Sequence, residues 1–302
     1  MADTSDYLRG GAFVVMFLLT GIWDLNTWLI SDLVFTFFSG LLIYSNPWWS
    51  MDLQTKDVKL DVVHAQLHRL FAAFLMGPLL LWLFRRKSKD PNVIAAMLWS
   101  RTVGIMTLLF IMTVGQLTYG HIFTDKHVWF GFLGNILWWL ANVVQLIKNK
   151  PSISGYQQTR GITLLLHLNL LILTLLSLAF LAFPKMMFKI EGRKADKYHL
   201  HTARAVGALI MGSAAMMWIA PCIKERRDVR IIFISQSLMA VLCEASYLIL
   251  HFSAQLMTKQ ELYIRMATFI PLLVISLIGI FLSCKTTNSD ADSAKIEDKK
   301  NS

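Results

Sequence analysis

Long apolar runs alternate with short polar ones along this chain. Continuously apolar stretches occupy residues 27–46, 64–84, 96–119, 128–147, 161–183, 200–221, 231–253 and 263–284. Each is close to the roughly 20 residues that a helix needs to cross ~30 Å of hydrocarbon. Strands of a membrane barrel would be about 10 residues long and would alternate apolar with polar positions, so helices follow. The expected fold class is an all-α membrane protein of about eight transmembrane helices. Residues 1–26 precede the first run and either lie at the interface or extend the first helix. Their start, "MADTSDYLR", is not the basic n-region of a signal peptide, and no small-x-small cleavage site follows.

Composition agrees with this pattern. Hydrophobic residues make up 55% of the chain and charged ones 16%, against about a quarter charged in soluble domains. The net charge of +10 sits in clusters between the runs, such as "RRKSK" (85–89) and "KERRDVR" (224–230). That placement fits loops beside anionic headgroups and excludes a nucleic-acid partner. Counting Lys and Arg places both termini in the cytosol, although "KMMFKIEGRKADK" (185–197) is basic on the opposite side. The polar tail, 286–302, is expected to be disordered. Its end, "KKNS", is similar to a dilysine retrieval signal, which gives the endoplasmic reticulum as the expected location. Cys222, Cys243 and Cys284 form no CxxC, so no disulfide framework or zinc site is expected.

The chain also repeats itself. "HAQLHRLFAAFLMG" (64–77) and "HLHTARAVGALIMG" (199–212) align without gaps 135 positions apart, matching His64 with His199, Arg69 with Arg204 and Gly77 with Gly212. Pro47 and Pro184 close the preceding runs. Arg101 and Arg230 open the following ones, and Gln116-x-x-Tyr119 pairs with Glu244-x-x-Tyr247 after a one-residue slip. Two four-helix units are expected, residues 27–150 and 151–285. Four is even, so both enter the membrane in the same direction as a parallel repeat. Gly207 and Gly212 permit close helix contact.

With Pro47, Arg69 and Gly77, then Pro184, Arg204, Gly207 and Gly212, the layout of both halves resembles the four-helix membrane modules of the DoxX-like families. In those modules a Pro closes the first helix, and an Arg followed by small residues opens the second. The resemblance implies this architecture and no activity or functional residue.

Charged residues inside spans are costly and face a partner or a cavity. Arg69 and Arg204 lie about five residues, roughly 8 Å, into their helices. Gln116 and Glu244 reach a similar depth from helices running the other way. A structural ion pair between Arg204 and Glu244 is expected, whereas Arg69 faces only neutral Gln116. Asp32 lies too near the other end to reach Arg69. The expected ligand site is therefore Arg69 with His64, His68, Gln116 and Tyr119, holding an anionic lipid or a small carboxylate through the guanidinium fork. Arg69 snorkelling to the interface is the alternative.

His64 and His68 share a helix face, as metal ligands require, but no adjacent His-His pair or facing axial pair supports di-iron or haem chemistry. No metal, cofactor or catalytic residue is expected. Three functions stay open: binding or transport of a lipid or small anionic amphiphile, noncatalytic assembly with membrane-protein partners, and a metal-dependent membrane enzyme.

Overall fold

The computed structural model describes residues 14–300, apart from 16, 126, 152, 154, 156, 157, 188–194 and 255–257. Eight helices are long and apolar enough to cross a membrane: Leu25–Ser45, Val62–Arg85, Pro91–Ile122, His127–Asn149, Arg160–Ala182, Lys197–Cys222, Arg226–Phe252 and Gln260–Cys284. They are numbered first to eighth below. No strand occurs among the described residues, where only an isolated bridge joins Thr55 to Phe123.

Local chemistry sets the helix ends. Asp24, Asp61, Asp90 and Asp196 each accept a backbone N–H of the turn they open, filling donors that a helix start leaves empty. Pro47 and Pro91 occupy first-turn positions, where a missing N–H costs nothing. The second helix breaks at Gly77–Pro78 into Val62–Met76 and Leu79–Arg85.

The segment before the first span does not continue it. Residues 17–22 are helical and end at Trp23, and Asp24 then caps a new helix. The carbonyls at that end are taken up by the fourth helix. Gln145 Nε2 donates to Gly21 O (2.7 Å), and Lys148 Nζ to Ile22 O (2.6 Å) and Trp23 O (2.8 Å). At the other terminus the last helix runs Lys259–Lys300. Of the tail expected to be disordered, residues 286–300 belong to this helix.

The second and sixth helices are the most buried and meet each other at the centre. The second also packs on the first and seventh, and the sixth on the fifth and third. The third carries the fourth, and the seventh carries the eighth. Third and sixth cross with their backbones in contact: a Cβ on Gly212 would lie 2.6 Å from Ser100 O and 3.1 Å from Gly104 Cα. Outward faces stay apolar, with Phe38, Phe110, Leu117, Leu164, Trp218 and Phe252 exposed.

One ion pair is buried in this core. Arg101 Nε donates to Asp32 Oδ2 (3.1 Å) and Nη2 to Thr36 Oγ1 (3.3 Å), while Trp138 Nε1 donates to Asp32 Oδ1 (2.7 Å). The guanidinium lies over the rings of Trp82 and Trp138. Charge, hydrogen bonds and aromatic faces together offset the cost of removing both ions from water.

Candidate functional site

The second and sixth helices begin side by side, and each begins with the same device. Asp61 accepts from His64 N (3.1 Å), and the His64 ring turns back so that Nδ1 lies 3.1 Å from Asp61 N. Asp196 and His199 repeat this at 2.8 and 3.3 Å. The two rings stack with centroids 3.5 Å apart and planes at 18°. Each Nε2 then reaches the carboxylate that caps the other helix, at 3.2 Å in both directions. The two helix starts are therefore cross-braced. Burial alone would raise both carboxyls, but hydrogen bonds from His199 and His64 outweigh it and hold Asp61 and Asp196 well below the usual carboxylate range.

Ligand atoms of Asp61, His64 and His199 lie within 4.8 Å of one another, close enough to be tested as a metal centre. The ring geometry opposes that use. Both nitrogens of each imidazole already serve the caps, and lone pairs in the planes of stacked rings do not converge on one point. An ion would require both rings to turn.

One turn further in, His68 belongs to a closed ring of hydrogen bonds. Gln54 Nε2 donates to Ser50 Oγ (3.3 Å), which lies 3.4 Å from His68 Nδ1. His68 Nε2 lies 2.8 Å from the Tyr198 hydroxyl, which donates to Gln54 Oε1 at 3.3 Å. The directions agree all the way round when His68 is neutral with its proton on Nε2.

This ring forms part of the wall of a cavity of about 250 Å³ between the first, second, third, fourth and sixth helices. Polar lining comes from Gln54, His68, His127, Asn135, His201 and Thr202, and much of the rest from Phe35, Phe71, Leu108, Met112 and Trp138. No charged side chain is among the described lining residues. His201 Nδ1 is buried without a hydrogen-bond partner and lies against Gly115, where a Cβ would come within 2.5 Å. Ser39 and Ile43 of the first helix and Gly131 and Gly134 of the fourth, all half-buried, complete the lining between those two helices.

The positions 135 before His201, Thr202 and Ala205 are Gln66, Leu67 and Leu70. These line a void of only about 10 Å³ among the second, fifth, seventh and eighth helices. Two leucines stand there for Thr202 and Ala205, and Gln66 Nε2 is spent on Ser246 Oγ (2.8 Å). The space at His201, Thr202 and Ala205 is open, and the one at the positions 135 earlier is nearly closed.

The residues expected to share a site are dispersed. His64 braces the helix starts and His68 lines the cavity. Arg69 is half-buried outside the cavity lining, interacts electrostatically with Tyr44, and has no hydrogen bond or ion pair among the described residues. Gln116 is exposed, against Gly120. Tyr119 accepts from Arg204 Nη1 (3.0 Å) instead of serving Arg69. The expected Arg204–Glu244 pair does not form, because Arg204 also donates to Leu181 O (3.3 Å) while both Glu244 oxygens are buried without a partner. Arg204 is turned instead toward the third and fifth helices. Reading the sequence from His64 onward also missed Asp61 and Asp196, although they stand 135 apart, each three residues before its His, in the spacing of a helix cap.

No curated protein and no solved structure matches the chain. A family model described as "Domain of unknown function (DUF8292)" matches residues 30–281, and the protein belongs to that family.

Proposed function

We propose that this is a multi-pass membrane protein that binds, and in doing so can move, a small lipid or amphiphile with an uncharged polar head. The cavity is the site. The observation that carries the reading is that it is open where its counterpart, at positions related by the repeat, is filled by Leu67 and Leu70. A void of this size in an apolar bundle costs stability unless something occupies it. Its apolar walls suit a chain, and its neutral imidazoles and amides suit a hydroxyl or carbonyl. The absence of lining cations argues for an uncharged head over the anionic one expected from Arg69.

Two tandem four-helix units, inserted in the same direction, account for the exchange symmetry of the helix pairings. The outward apolar faces suit hydrocarbon. The half-buried lining residues of the first and fourth helices would then lie nearest to lipid. The basic clusters near Arg85 and Lys224 fall on one side, where the reading places both termini in the cytosol and KKNS as an endoplasmic-reticulum address.

Native mass spectrometry of gently solubilised protein tests this. A neutral lipid retained by wild type and by Arg69→Leu, but lost from Ala205→Phe, is the expected result. A bare wild type, or an adduct indifferent to Ala205→Phe, would overturn it. Loss in Arg69→Leu alone would return the site to the guanidinium, and a co-purifying protein at fixed stoichiometry in place of lipid would make the chain an adaptor.

A further inference from the structure

Glu244 is the chain's one acidic residue deep within the seventh span, and only 8% of it is exposed. Both of its side-chain oxygens are buried without a hydrogen-bond partner among the described residues. No cation near it is paired with it among the described residues: Arg69 of the second helix interacts with Tyr44, Arg204 with Tyr119 and Leu181 O, and Arg265 of the eighth helix with Met187 O. A bare carboxylate in such a place is far more costly than a neutral acid, which loses only the hydration of a polar group.

The neighbouring helix offers what a neutral acid can use. About three turns before Glu244, and so on the same helix face, Phe233 packs against Gly279 of the eighth helix. Just beyond Glu244, Tyr247 meets Phe269. Between these two contacts the antiparallel register brings Glu244 level with Pro271, a proline inside the eighth helix. Pro271 has no N–H, so the Ala267 carbonyl one turn back lacks its helical donor. A carboxylate can only accept hydrogen bonds, whereas the acid carries an O–H.

Glu244 is also one of a series. Ser237, Glu244 and His251 recur every seventh residue, about 10.5 Å apart along one side of the helix, and Ser237 Oγ and His251 Nδ1 are likewise buried without partners. The other titratable groups around Glu244 are Cys243 and Tyr247 on its own helix and Arg265 opposite. The second helix contributes Gln66, which is neutral and bonded to Ser246, and Arg69, whose electrostatic partner is Tyr44 of the first helix.

We propose that Glu244 is an exchangeable proton-binding site, held as the neutral acid in the seam between the seventh and eighth helices, with Ser237 and His251 as the polar groups flanking its path. The site is independent of the cavity and stands whether or not that cavity binds lipid.

Infrared spectroscopy of the full-length protein in lipid nanodiscs tests it, because the C=O stretch of a protonated carboxyl is absent from a carboxylate. At neutral pH wild type should show that band, Glu244→Gln should lose it, and Glu244→Asp should shift it. Raising the pH should bleach the wild-type band reversibly. No band in wild type, or one that survives in Glu244→Gln, would overturn the assignment. A band that persists at every pH would make Glu244 a sealed structural acid and equally overturn the exchange. Should Glu244→Gln fail to fold, the shift in Glu244→Asp carries the identification.

Discussion

His64 and His199 stack face to face, 3.5 Å apart, and each reaches past the other to the aspartate that caps its neighbour's helix. A helix start is ordinarily a local matter, settled within one turn. Here two starts are made conditional on each other across the centre of the bundle. The contact fixes the relative height of the second and sixth helices, and with it the position of His68, His201 and Thr202 in the cavity wall beneath.

The cross-brace predicts a specific acid sensitivity. Asp61 and Asp196 ionise more readily in the folded chain than in the unfolded one. Such a group lends stability above its unfolded value, about 3.9, and that contribution drains as pH falls from there toward the folded value. Thermal unfolding followed against pH should therefore show a loss below pH ~4 that Asp61→Asn with Asp196→Asn largely removes, at the cost of a lower melting temperature near neutrality. An unchanged acid limb in the double variant would show that the brace is not responsible.

Much of the architecture was legible because hydrocarbon imposes a length. Eight apolar runs gave eight helices with ends displaced by a few residues, and the 135-residue offset picked out the two helices that meet at the centre. What sequence could not supply was azimuth. Depth is readable from distance to a helix end, but the direction of a side chain around a helix that is apolar on every side is not. Hence Arg204 and Glu244 were matched by level and found facing different helices. Asp32 and Arg101 were each noted, yet the pair was never drawn, although both lie toward the starts of helices that run in the same direction.

That missed pair predicts a sharp asymmetry between single and double substitutions. Removing one partner leaves the other charge buried and should cost about 3–5 kcal/mol. Asp32→Leu should in addition strand the Trp138 indole N–H, and Arg101→Met should leave Asp32 without its guanidinium. The double variant should recover much of the loss. Chemical denaturation in mild detergent measures this, and additive single costs would mean the two groups do not act as a unit.

The crossing at Gly212 predicts intolerance of a single methyl group. Gly212→Ala places a carbon 2.6 Å from a backbone oxygen of the third helix, so two helices must part, at about 1–3 kcal/mol. Gly161→Ala is the control, since its new carbon meets Leu282 Cδ1 at an ordinary 3.6 Å and alanine favours helix. The first should lower the unfolding temperature and the second leave it unchanged or raise it. Equal tolerance would place the crossing elsewhere.

If repeat-related filling distinguishes the two units, undoing it should create a second site. Leu67→Thr with Leu70→Ala installs at the filled position the residues that line the open one, where Thr202 and Ala205 stand. Both leucines are buried, and replacing a buried leucine with alanine costs about 2–5 kcal/mol, so the variant should be clearly less stable. A ligand that binds the new space should offset part of that loss. Native mass spectrometry should then show a second lipid adduct beside the first, and added lipid should raise the variant's melting temperature more than that of wild type. Destabilisation with no second adduct would mean that the polar wall of His68, His127 and His201, which the filled space lacks, selects the ligand, and that volume alone does not make the site.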